Sequence, residues 1–223
     1  MRQNHSAIHY WLACEGVRCL CRLLGGIEVL GRENFPESSR LIVVSNHLSH
    51  LDPPLIGGVV PWYTHCMAKE ELFKTPFIGW WCRCVGAFPV KRGAADRQAL
   101  RTALQVLEMG RPLVLFPEGR RSKDGRLQPG EEGVGLIALR SRVPIIPIGI
   151  AGSQSILPPG SIRFRRGHVT IRIGKPFTLD DLYGQTGRPA VIEATRRVMA
   201  EIASLLPPEH QPADGIPRTI SVA

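Results

Sequence analysis

The 223-residue chain has no uninterrupted apolar run of the roughly 18 residues that a bilayer-crossing helix requires. Its first residues lack the short apolar core and small-residue cleavage site of a secretory signal, so no signal peptide is expected. Aromatics are only 6% of the chain and do not interleave with a basic stripe, and no nucleic-acid-binding module is visible, so nucleic acid is not an expected partner. Acidic residues are scarce: 19 Asp and Glu against 28 Lys and Arg leave a formal charge of +9. That surplus favours an anionic membrane face or phosphorylated ligands. Cys-x2-Cys spacing is absent. The cysteines Cys14, Cys19, Cys21, Cys66, Cys82 and Cys84 are therefore expected as reduced core or interface thiols. His47, His50, His65 and Cys66 match no structural zinc spacing, and no metal is expected. A Gly-x-Ser-x-Gly elbow is also missing, which argues against a serine hydrolase using Ser45 or Ser49.

What remains is an ordinary globular composition, 43% hydrophobic and 21% charged, long enough for one domain with a sizeable core. The most informative stretch runs from Val43 to Pro54. The apolar run Leu41 to Val44 reads as a buried strand, and it feeds a polar turn, Ser45-Asn46-His47-Leu48-Ser49-His50. Asp52-Pro53-Pro54 then reads as a helix start with Asp52 as N-cap. Polar groups gathered where a strand meets a helix are the usual address of a site in an α/β fold. A histidine, with an ordinary pKa of about 6.5, can take a proton near neutral pH, and a carboxylate on one ring nitrogen leaves the other free as base. By itself the turn fits a capping aspartate and a satisfied histidine equally well.

A second apolar run, Leu113 to Phe116, delivers Pro117-Glu118-Gly119-Arg120-Arg121-Ser122. Asn46-His47-x4-Asp52 (an NHx4D motif) and Phe116-Pro117-Glu118-Gly119-Arg120-Arg121-Ser122 together resemble signature blocks of the glycerolipid acyltransferases, the 1-acylglycerol-3-phosphate acyltransferase family. Lys69-Glu70-Glu71-Leu72, with Pro76, Gly79, Gly86 and Val90-Lys91-Arg92-Gly93, resembles a further block, and Val143-Pro144-Ile145-Ile146-Pro147-Ile148 another. The blocks lie in family order over about residues 25 to 175.

The resemblance implies fatty acyl transfer from acyl-CoA or acyl-carrier protein to a lysophospholipid, the first expectation being the 2-hydroxyl of 1-acylglycerol-3-phosphate, giving phosphatidic acid. No cofactor is implied. Catalysis is expected from His47 as base oriented by Asp52, with the backbone N–H groups after His47 available to an oxyanion. Substrate contacts are expected from Asn46, Ser49, Lys91, Arg92, Glu118, Gly119, Arg120 and Arg121. Arg92 would hold the acceptor's phosphate by paired, charge-assisted bonds, and Glu118 would meet its glycerol backbone. Many members carry Thr where this chain has Arg120, and Phe-Lys-x-Gly where it has Gly130-Glu131-Glu132-Gly133, so Arg120 is expected to supply a missing phosphate contact. Other acceptors remain open: glycerol 3-phosphate, another lysophospholipid or an amino-linked lysolipid. A non-catalytic, basic membrane-binding domain is the alternative of another class.

Residues 1–25 read as an amphipathic helical segment, 26–206 as the acyltransferase domain and 207–223 as a flexible, Pro-rich tail. Within the first segment, Ile8, Trp11, Leu12, Val17, Leu20, Leu23 and Leu24 follow a helical pattern with Arg18 and Arg22 among them. With the resemblance, this helix is expected to insert its apolar face into the cytoplasmic surface of a membrane, as a peripheral or monotopic anchor. Further strands are expected at Ile27–Leu30, Tyr63–Ala68, Val85–Val90 and Val143–Ile150, and helices at 55–60, 77–81, 96–109, 134–139 and 190–205. A hairpin is expected between 162–165 and 169–173. The fold class is α/β: one domain, a mostly parallel or mixed central sheet flanked by helices, and an N-terminal membrane-associating helix.

Overall fold

The computed structural model describes residues 2–90, 96–213 and 219–220. Short, almost wholly apolar runs build the middle of the sheet, as strands covered on both faces do. They are β2 (Ile42–Ser45), β5 (Leu113–Leu115) and β7 (Ile145–Ala151), preceded by β1 (Ile27–Leu30), β3 (His65–Lys69) and β4 (Ala87–Val90) and joined by β8 (Val169–Ile173). The sheet order is β1-β8-β7-β2-β5-β3-β4. All neighbours are parallel except β7 and β8, so five strands run one way and the edge pair β1–β8 runs the other. A small parallel pair, β6 (Gly130–Glu131) with β9 (Thr219–Ile220), stands apart.

Alternation along the strands divides the core into two layers. Ile42, Val44, Leu113, Leu115 and Ile145 face helices α4 (Arg97–Glu108), α5 (Gly133–Ser141) and α7 (Arg188–Ser204). Val43, Val114, Ile146, Ile148 and Ile150 face α1 (Arg2–Leu24), α2 (Asp52–Val59) and α6 (Ser153–Ile156), while α3 (Pro76–Cys84) lies beside α1. Asp96 starts α4 as its N-cap, accepting from the backbone N–H of Gln98 and Ala99.

Helix α1 sits tightly on α2 because α2 has no side chains at Gly57 and Gly58. A Cβ at Gly57 would come within 2.6 Å of the Tyr10 hydroxyl and 2.7 Å of Cys14 Sγ; at Gly58 it would meet Arg18 Cδ at 2.3 Å. The Tyr10 hydroxyl bonds Thr64 Oγ1 at 2.8 Å and accepts from Thr64 N at 3.2 Å. The expected amphipathic pattern is therefore modified: α1 carries two apolar faces. Tyr10, Cys14, Val17 and Cys21 are buried on the domain, whereas Ile8, Trp11, Leu12 and Leu23 remain exposed. On α3, Phe77, Ile78 and Trp80 are exposed as well. No helix among the described residues is long and apolar enough to cross a membrane.

Two expectations change. Residues 162–165 are not a strand, because both hydrogen-bonding edges of β8 are already taken by β1 and β7, leaving no edge for a hairpin partner. The chain from Pro207 is not loose throughout: Pro208–His210 form a short 3-10 turn with His210 buried, and Thr219–Ile220 pair with β6. All six cysteines are free thiols, only Cys19 being exposed.

Candidate active site

Parallel strands leave their carboxyl ends at one edge of the sheet, and there the turns after β2, β5 and β7 converge. The β2 turn is closed by a single carboxylate oxygen. Asp52 Oδ2 accepts from Leu48 N at 2.6 Å and Ser49 N at 2.7 Å, and lies 2.8 Å from His47 Nδ1. Asp52 is thus the first residue of α2 and not its cap; its side chain turns back onto the loop behind it. The carboxylate is an acceptor, so His47 Nδ1 carries the proton and Nε2 is the basic nitrogen. Asp52 Oδ1 is buried with no hydrogen-bond partner. The His47 ring stacks on Phe116 from the β5 turn, centroids 4.2 Å apart.

His47's main chain is held from the other turn. Its N–H donates to Glu118 Oε1 at 2.7 Å, and its carbonyl accepts from Ser122 N at 2.8 Å. Glu118 Oε2 accepts from Gln128 N at 2.9 Å. Glu118 is only 2% exposed, and burial pushes its carboxyl up to about 8 against the opposing pull of these two N–H donors. Gly119 follows with φ +64, and a Cβ there would stand 2.1 Å from Glu131 Oε1, so this turn admits no larger residue without displacing Glu131.

Several expected substrate contacts prove to be scaffold. The Asn46 side chain clips β7, donating from Nδ2 to Ile150 O and accepting at Oδ1 from Ile150 N, both at 2.8 Å. Ser49 Oγ donates to Leu157 O at 2.8 Å, and both residues are buried. Ser45 Oγ is buried and bonded to Asn46 O, so neither serine is paired with His47 as a nucleophile would be. The backbone N–H groups of His47, Leu48 and Ser49 are committed to Glu118 and Asp52, which leaves them unable to serve an oxyanion as expected. Arg120 is exposed, while Arg121 is half-buried with Nη1 enclosed and without a hydrogen-bond partner among the described residues. Burial, then the nearby Arg121 and His47, lower the pKa of His50. Lys91 and Arg92 lie outside the described residues. The reading of the sequence missed Ser122, Gln128 and the stacking role of Phe116. Ser122 and Phe116 stand inside a recognised block, but nothing local marks Gln128.

The sequence model of the acyltransferase family matches residues 26–151, spanning both turns. The chain belongs to the acyltransferase family. Among curated relatives, this acyltransferase is 28% identical over 201 residues to the 1-acyl-sn-glycerol-3-phosphate acyltransferase of Bacillus subtilis, covering 88% of this chain and 98% of that one. It is 34% identical over 175 residues to a chloroplastic 1-acyl-sn-glycerol-3-phosphate acyltransferase of Brassica napus, covering 77% of this chain and 49% of that one. The crystal structure of the 1-acyl-sn-glycerophosphate acyltransferase PlsC from Thermotoga maritima superposes with a TM-score of 0.69 at 29% identity, over 86% of this acyltransferase and 78% of that chain.

Proposed function

We propose that this acyltransferase moves a fatty acyl group from the thioester of acyl-CoA or acyl-carrier protein to the 2-hydroxyl of 1-acylglycerol-3-phosphate, making phosphatidic acid. The observation that carries the reading is the His47–Asp52 pair, 2.8 Å apart at the mouth of the sheet, in a chain whose relatives bear that acceptor in their names. His47 Nε2 takes the hydroxyl proton as the oxygen attacks the thioester carbonyl. The new C–O bond forms, the C–S bond breaks, and the imidazolium returns its proton to the departing thiolate. Asp52 fixes the tautomer and stabilises the imidazolium. A thioester is activated enough that no covalent enzyme intermediate is needed. General base catalysis supplies about 10²- to 10⁴-fold, and positioning of the two substrates adds to it.

The acceptor's phosphate is assigned to the arginines. The enclosed, unpartnered Nη1 of Arg121 supports that residue foremost; Arg120, Lys91 and Arg92 complete the cationic set. Glu118 acts on this reading through the main chain of His47. The exposed apolar side chains of α1 and α3, on a chain of net charge +9, support work at the cytoplasmic face of an anionic membrane, where acyl-CoA and acyl-carrier protein are found.

The test supplies labelled acyl-CoA with 1-acylglycerol-3-phosphate, other lysophospholipids and glycerol 3-phosphate, and identifies products by mass. Phosphatidic acid is the expected main product from wild type, with none from a folded His47→Ala variant. Acylation of glycerol 3-phosphate alone would replace the acceptor, and full turnover by His47→Ala would remove the mechanism. Arg121→Ala is expected to raise the acceptor KM about tenfold, a loss of one charge-assisted contact. An unchanged KM in Arg120→Ala would take that residue out of the phosphate site.

A further inference from the structure

The loop that holds His47 is itself held by the chain's C-terminal segment. Gln128 N reaches Glu118 Oε2, and the neighbouring Leu127 N donates to His210 O at 2.9 Å. His210 Nδ1 lies 2.7 Å from Gly125 O and Nε2 lies 3.3 Å from Gln154 Nε2. A carbonyl only accepts, so Nδ1 bears the proton and Nε2 accepts from the Gln154 amide. Gly125 belongs to the β5 loop, and Gln154 to α6 at the end of β7. The buried imidazole therefore bridges two of the three turns that meet at the site. Two further links run alongside: Arg126 Nη1 donates to Gln211 O at 3.3 Å, and β9 pairs with β6, whose Glu131 N donates to Pro117 O at 2.7 Å.

We infer that His210 is a positioning residue for acyl transfer: by tying the 122–128 loop to α6 it fixes the Gln128–Glu118–His47 chain that sets where the base stands. This rests on the reading of His47 as base. Its force comes from continuity. The links are hydrogen bonds joined by the short run of backbone from Gly125 to Gln128, and the last one falls on the main chain of the catalytic turn, where a displacement of a fraction of an ångström moves Nε2 away from the acceptor hydroxyl.

The experiment compares wild type, His210→Ala and His210→Asn, whose amide nitrogen takes the place of Nδ1–H opposite Gly125 O. The readouts are kcat, both KM values, Tm and the ¹⁵N spectrum of the His47 ring. His210→Ala is expected to lower kcat about tenfold, as a misplaced catalytic group does. Both KM values should hold within about twofold, since only the base has moved. The His47 ring signals should shift, and His210→Asn should restore rate and signals together. Wild-type kcat in folded His210→Ala overturns the inference. So does a fall in rate that follows Tm alone and is not rescued by Asn. Should His210→Ala fail to fold, Gln154→Ala breaks the α6 link and is judged by the same readings. If wild type acylates no acceptor, or His47→Ala is active, the functional reading fails instead; the ring signals then still show whether His210 positions His47.

Discussion

Two of the three turns that meet at the sheet's carboxyl edge are closed in opposite ways. The His47 turn is closed from within: Asp52, five residues on, gathers the imidazole and two backbone N–H groups on one oxygen. The Glu118 loop is closed from outside, by His210 and by β9 at the far end of the chain. On the proposed reading of His47 as base, the local closure sets its chemistry. The remote closure sets its position, because Glu118 and Ser122 grip the backbone on both sides of the His47 side chain. The division predicts that breaking the first turn costs rate without much stability, and breaking the second costs some of each.

Asp52→Asn gives the largest effect. Asn retains an oxygen that can accept from the loop N–H groups, so the turn persists, but it can no longer fix the tautomer or stabilise the imidazolium by charge. A fall in kcat of about 10²- to 10⁴-fold is expected with Tm nearly unchanged. Loss of folding in parallel with rate would show that the local closure is architectural first. Glu118→Gln comes next. The amide has one acceptor oxygen for two donors, so either His47 N or Gln128 N is left facing an NH₂ group. The unsatisfied donor costs about 1–3 kcal/mol of stability. The freed turn costs about ten- to a hundredfold in kcat, with the acceptor KM little changed if Glu118 acts only through the main chain. A rise in KM larger than the fall in kcat would return Glu118 to direct contact with the acceptor.

The same contrast explains what could be read from the residues alone. His47 and Asp52 were legible because their partnership spans a few residues and uses types with evident chemistry. The strands 41–44, 113–116 and 143–150 were legible because doubly covered strands are apolar at every position. Asp52's exact duty was not: an aspartate before two prolines signals a cap, and only the fold shows the carboxylate turned back onto Leu48 and Ser49. Asn46 and Ser49 carry the polarity of ligands yet spend it on Ile150 and Leu157, partners more than a hundred residues away. Gln128 and His210 had no local signal, since a glutamine backbone N–H and a histidine in a Pro-rich tail look the same whether docked or free. The alternation at 162–173 was misread because sequence cannot show that both edges of β8 are occupied.

A smaller effect is expected beneath the local turn. Gly57→Val pushes a branched side chain against Tyr10 and Cys14, lifting α1 from the helix that Asp52 begins. Overpacking of this kind costs about 1–3 kcal/mol, to be read as a lower Tm. Because the turn is closed by its own carboxylate, kcat per folded molecule should hold within about twofold. A large loss of kcat in the folded variant would show that the local closure leans on α1 after all.

A last test probes the remote closure through protons. Burial raises the Glu118 carboxyl from 4.5 to about 8 in the folded protein. Between those values the folded chain holds a proton that the unfolded chain has released, so stability falls as pH rises. The stabilisation is fully present below pH 4.5 and is lost as pH climbs through about 8. One such group changes stability by at most about 1.4 kcal/mol per pH unit. Wild-type minus Glu118→Gln unfolding free energies, measured by denaturant at intervals across this window, should decline with pH. His210→Ala, which loosens the loop and lets water reach the carboxyl, should flatten the decline, while Asp52→Asn should leave most of it in place. A difference curve that stays level, or rises, would mean that the two backbone N–H bonds outweigh burial, and that Glu118 holds the loop as a carboxylate throughout.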